Sequence, residues 1–80
     1  MPVKSSSDYP SRVRARVRAA IAASGKAARV VAADLGWSQS YMAHRLTGRQ
    51  PFSVDDLAAI ADALGISPEE LTADREEVPA

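Results

Sequence analysis

Gln39, Ser40, Tyr41 and His44 fall within six consecutive positions and supply an amide, two hydroxyls and an imidazole, groups that exchange hydrogen bonds with base edges. A glutamine amide pairs bidentately with adenine, a serine hydroxyl bonds several bases or a phosphate, and an imidazole N–H donates to a guanine acceptor. A tyrosine contacts a thymine methyl with its ring or donates its hydroxyl to a phosphate. Around these four stand Lys26, Arg29, Ser38, Arg45, Arg49 and Gln50, whose charges and donors suit phosphate oxygens. The other chemistries find little material. His44 is the only histidine, cysteine is absent, and no glycine-rich phosphate loop or Ser-His-Asp set is evident. Asp55-Asp56, Glu69-Glu70 and Glu76-Glu77 read as helix N-terminal residues and a solvated tail rather than catalytic dyads. The expectation is a protein that is not an enzyme, with no catalytic residue, no metal site, no cofactor and no evident small-molecule ligand.

Side chains that read bases need a rigid mount, and the stretch Ala28 to Pro51 has the pattern of a helix-turn-helix. Val31, Ala32 and Leu35 share one face of a first helix, Gly36 follows where the chain reverses with positive φ, and Trp37 plugs the corner. A second helix, Ser38 to Thr47, opens with Ser38 as its cap and turns Met42 toward the body. Gln39, Ser40, Tyr41 and His44 are then expected to face outward. Arg45 stands where a further apolar residue would serve the core, with Leu46 beside it. We expect Leu46 to enter the core and Arg45 to lie along the surface toward a phosphate.

Eighty residues allow one small core. Sixteen of the apolar residues are alanine, which suits short, closely packed helices better than wide sheets. The stretch from Arg12 to Ala19 alternates like a half-buried strand, but the continuation AAIAAS decides for helix. On a helical wheel Val13, Val17, Ala20, Ile21 and Ser24 form one stripe flanked by Arg12, Arg14, Arg16 and Arg18. This first helix is expected from about Ser11 to Ser24. Gly25, Gly36, Gly48 and Gly65 each follow a periodic segment and mark four helix ends. Ser53 caps a helix expected to bury Val54, Leu57, Ala58, Ile60, Ala61 and Leu64, and Ser67-Pro68-Glu69-Glu70 reads as a capping box opening a fifth, carrying Leu71. Residues 1–10 are expected to be a flexible arm, 11–73 the folded domain, and 74–80 an acidic flexible tail.

A formal charge of zero conceals a division along the chain. Residues 1–50 hold nine Lys and Arg against Asp8 and Asp34, a balance of +7; residues 51–80 hold Arg75 against eight carboxylates, a balance of −7. A molecule so divided offers its basic part to a polyanion. No apolar run approaches the ~20 residues that cross a bilayer, so a cytoplasmic protein without membrane contact is expected.

Val31-Ala32, Leu35-Gly36-Trp37, Ser38-Gln39-Ser40, Met42, Gly48, Pro51 and the string LAAIADALGISPEEL together resemble the lambda-repressor-like helix-turn-helix family, also called the Xre or Cro/repressor type. The resemblance runs from about Val17 to Leu71. It implies an all-α fold, a compact five-helix DNA-binding domain with the helix-turn-helix at helices 2 and 3. It also implies a sequence-specific regulator of transcription, a phage or bacterial repressor that lays helix 3 in the major groove of an operator. Base contacts would come from Gln39, Ser40, Tyr41 and His44, and phosphate contacts from Lys26, Arg29, Ser38, Arg45, Arg49 and Gln50. Two positions depart from the family pattern: Ala28 replaces a Gln that clamps phosphate, and Arg45 replaces an apolar residue. A homodimer on a palindrome and a monomer on an asymmetric site both stay open. The competing reading is a protein-interaction module of antitoxin or antirepressor type, working through the acidic fourth and fifth helices and tail.

Overall fold

The computed structural model describes residues 4–72, with side chains from Tyr9 onward. Five helices follow one another: α1 (Lys4–Ser24), α2 (Ala28–Leu35), α3 (Gln39–Thr47), α4 (Val54–Leu64) and α5 (Glu69–Thr72), with no strand among the described residues. The all-α, five-helix architecture expected from the sequence is the one observed. The acidic tail assigned to 74–80 lies outside the described residues.

One core joins all five helices. Val13, Val17 and Ile21 come from α1, Val31 and Ala32 from α2, Met42 from α3, Leu57, Ile60 and Ala61 from α4, and Leu71 from α5. Ala28, Leu35, Trp37, Leu46, Phe52, Leu64 and Ile66 pack around it. Of the stripe expected on α1, Val13, Val17 and Ile21 are buried and Ala20 half-buried, while Ser24 is exposed; Arg12, Arg14 and Arg16 on its flanks are half-buried and Arg18 is exposed. Each fully buried Val, Leu or Ile is worth roughly 1.5–3 kcal/mol of transfer free energy, so this small set carries most of the apolar stabilisation.

Three details differ from expectation. α1 begins at Lys4, seven residues before the expected Ser11, and runs through Pro10. Proline removes one helical N–H, which is why the Pro- and Ser-containing opening looked non-helical. The α1–α5 contact supports the longer helix: the Tyr9 hydroxyl donates to the Thr72 carbonyl at 3.3 Å. Second, Val54 and Ala58 are exposed rather than buried, Val54 at 81%. Val54 is the first residue of α4, one turn ahead of Leu57, and lines a surface groove with Tyr9, Pro10, Phe52 and Thr72. Third, Ser67 Oγ accepts from the Glu69 N–H at 3.2 Å and donates to the Glu69 carboxylate at 2.8 Å, so the cap of α5 engages Glu69 instead of Glu70.

The helix-turn-helix joint depends on Gly36. Its φ of 76° is left-handed, its N–H reaches back to the carbonyls of Ala32 and Ala33, and the Trp37 N–H bonds the Ala32 carbonyl at 2.8 Å. A β-carbon there would meet nothing within 4 Å, so the requirement is conformational and not steric. Gly36→Val should therefore cost about 1–3 kcal/mol through backbone strain alone. Thermal denaturation should show the midpoint falling by at least about 4 °C, with a smaller loss for Gly36→Asn, which tolerates this conformation. Equal losses for Val and Asn would contradict the strain argument.

Candidate nucleic-acid interface

The second helix of the motif is fixed at both ends. Ser38, extended at φ −73° and ψ 162°, accepts the Tyr41 N–H on its hydroxyl at 3.0 Å. At the other end the N–H groups of Gly48, Arg49 and Gln50 converge on the His44 carbonyl, the last two at 2.9 and 3.2 Å. Gly48 is left-handed at φ 92°, and the Arg14 guanidinium from α1 lies so close that an added β-carbon would sit 3.1 Å from it. The backbone after the helix is thereby pinned while the Arg49 and Gln50 side chains stay exposed.

Gln39, Ser40, Ala43 and Thr47 are exposed along one face of α3, and His44 is half-buried beside them. Ala43 and Thr47 were not singled out in the sequence, although they repeat from Ser40 at three and seven residues and belong to the same helical face. Thr47 Oγ1 donates back to the Ala43 carbonyl at 2.9 Å, leaving its methyl on the surface. Lys26, Arg29 and Ser38 are exposed as expected. Lys26, just before α2, is also paired at 3.2 Å with Asp34 in the last turn of that helix, an exposed contact of small energetic weight. Ala27, the N-cap of α2, provides no side-chain cap, so no side chain occupies the N-terminal N–H groups between Lys26 and Arg29.

Tyr41 and Arg45 are placed differently from expectation. Neither points freely outward. The Tyr41 hydroxyl donates to Asp56 Oδ1 at 2.6 Å, and Arg45 Nε donates to Asp56 Oδ2 at 3.2 Å. The Tyr41 ring packs on Trp37 with centroids 4.6 Å apart, and the Arg45 guanidinium covers the ring with Cζ 3.6 Å from its centroid. Arg45 thus lies inward along α3 and not along the surface toward solvent, its side chain 17% exposed. Leu46, expected to enter the core, packs against it half-buried.

Asp56 is the residue that the sequence undervalued. It reads there as a first-turn carboxylate of α4, and it does complete a capping box, accepting the Ser53 N–H at 2.9 Å while Ser53 Oγ accepts the Asp56 N–H at 3.0 Å. It is also buried, at 4% exposure, and gathers two side chains from α3. The spacing of Tyr41 and Arg45, four residues apart on one face, was the available signal.

A family model described as a helix-turn-helix domain matches residues 12–73. No curated protein and no solved structure matches the chain.

Burial pushes the Asp56 carboxyl up, but the Ser53 N–H, the Tyr41 hydroxyl and Arg45 all bond its charged form and together hold it below the ordinary 3.8. Tyr41 moves up from 10.0, because its hydrogen bond to Asp56, desolvation and the Asp56 charge favour the neutral phenol more than Arg45 opposes it. A carboxyl pKa lower in the folded than in the unfolded chain contributes stability that is complete above the unfolded value. That contribution disappears as pH falls through the folded value. Urea unfolding at about pH 6 and about pH 3 should show a larger acid loss for the native sequence than for Asp56→Asn. Equal losses would assign the acid sensitivity to another group.

Proposed function

The chain belongs to the helix-turn-helix domain family, and on that premise we propose that it is a sequence-specific, double-stranded DNA-binding regulator of transcription. It acts as a phage or bacterial repressor in the cytoplasm, laying α3 in the major groove of its operator. The observation that carries this reading is α3 itself: capped at Ser38, closed at Gly48, and left with Gln39, Ser40, Ala43 and Thr47 uncovered on one face. A face so small and polar has little apolar area with which to bind a protein, and its groups match the major-groove edges of base pairs.

Gln39 and Ser40 stand at the N-terminal end of α3 and take the first base contacts; His44, one turn on, takes another. Arg29 and Lys26 flank the uncapped start of α2, where N–H groups and positive charge favour a phosphate. Ser38, Arg49 and Gln50 complete the backbone contacts from either end of α3. Phosphate contacts of this kind give affinity and salt dependence without sequence information, so discrimination rests on the few groups of the α3 face.

Selection of bound sequences from a random DNA pool tests the reading. It should enrich one site. On that site Gln39→Ala and His44→Ala should each lose about 1–3 kcal/mol, with little change on random DNA. Arg49→Ala should weaken binding to both DNAs alike and reduce the slope of log affinity against log salt by about one. A pool that stays unenriched at low salt would exclude sequence-specific recognition.

A further inference from the structure

We propose that Asp56 is a positioning residue for sequence discrimination: it sets the orientation of α3 through Tyr41 and keeps the Arg45 guanidinium away from DNA phosphates. This role rests on the DNA-binding reading above. Three observations support it. Met42 is the only fully buried residue of α3, with Leu46 half-buried against the core, so apolar packing seats the helix along one line and leaves the finer definition of its rotation to polar contacts. Its backbone approaches α2 and α1 more closely than α4, which makes the Tyr41–Asp56 and Arg45–Asp56 contacts the bridge that ties α3 to the start of α4. The same carboxylate is held by the Ser53 N–H, so the bridge ends in the capping box of α4 and not in a mobile side chain.

The two donors have different consequences. Tyr41 is locked between Trp37 on one side and Arg45 on the other, which fixes the ring and the turn of α3 that carries it. Gln39, Ser40 and His44 lie within three residues of Tyr41, so a small rotation of that turn displaces all three relative to the bases. Arg45, in contrast, matters for what it does not do. A free guanidinium at this place on α3 would contact phosphate on any sequence and raise random binding along with cognate binding. Paired with a buried carboxylate and covering an aromatic ring, it is withheld from that competition.

The test compares the full chain with Asp56→Asn, Tyr41→Phe and Arg45→Ala on the selected site and on random DNA across a salt series. For Asp56→Asn the ratio of cognate to random affinity should fall about tenfold. Random affinity should hold or rise, and the salt slope should steepen by about one as Arg45 becomes available to phosphate. Trp37 is the only tryptophan, and its emission in the free protein should shift in the same variant as Tyr41 leaves its ring. Arg45→Ala should lower the ratio with the salt slope unchanged. Should Asp56→Asn fail to fold, Tyr41→Phe decides, since it keeps the ring stack and removes one bond to the carboxylate: a reduced ratio supports the role and an unchanged one overturns it. A slope reduced by about one in Arg45→Ala, with equal losses on both DNAs, would overturn it too, making Arg45 a phosphate contact. A native chain that enriches no site would overturn the DNA reading and this role together. A native chain with a selected site that Asp56→Asn binds with undiminished selectivity would overturn this role alone.

Discussion

A nine-residue helix with one fully buried and one half-buried apolar side chain leans on polar contacts for its orientation, and α3, with Met42 and Leu46, is such a helix. A helix of this length is marginal in water by itself, so its existence depends on its ends and its direction on what it is tied to. The ends are secured by Ser38 and Gly48. The direction is secured on one side by the Gly36–Trp37 turn against α2, and on the other by the Asp56 carboxylate at the start of α4. Removing either attachment leaves α3 with freedom about its axis. The remaining helices serve this arrangement by carrying the core on which both attachments stand.

The charge division of the sequence takes a more specific form in the folded chain. Of the nine positive residues in the first half, Arg45 is neutralised by Asp56 and Lys26 is paired with Asp34. Arg14 lies against Gly48, at the end of α3 where the helix dipole is negative. Within and beside the motif, Arg29 of α2 and Arg49 after α3 are exposed, and Lys26 before α2 is exposed although paired. The −7 balance of the other half belongs to the chain beyond Pro51, and one of its carboxylates, Asp56, crosses that division to act on α3.

Much of this was legible from residue types. The glycines marked the ends of four helices because only a residue without a β-carbon adopts the left-handed conformation freely, and all four have positive φ. Ser38 and Ser53 marked starts because a short hydroxyl side chain reaches its own helix N–H groups. These are local rules, and they determined the order and type of the elements. Several of the misplaced details depended on distant partners. Tyr41 and Arg45 look like outward polar residues until Asp56, fifteen and eleven positions on, is folded against them. Val54 fits the apolar period of α4 but precedes the point where neighbouring helices cover it. The early part of α1 meets the distant Thr72 carbonyl through the Tyr9 hydroxyl.

The substitution of Arg45 for an apolar residue then has a physical explanation. In a small core, an aliphatic residue at this place would add contact area but accept many orientations, since apolar burial is nearly non-directional. A guanidinium and a phenol converging on one carboxylate admit one geometry, set by the two oxygens and by the stack on Trp37. Such a buried ionic contact contributes less net stability than its short distances suggest, because desolvation offsets most of the Coulomb attraction. Its return is directional definition. On the proposed reading, in which α3 presents Gln39, Ser40 and His44 to base edges, such definition serves specificity more than stability. The polar cluster stands at α3, where Met42 is fully buried and Leu46 only half-buried, so that directional contacts supplement a small apolar anchor.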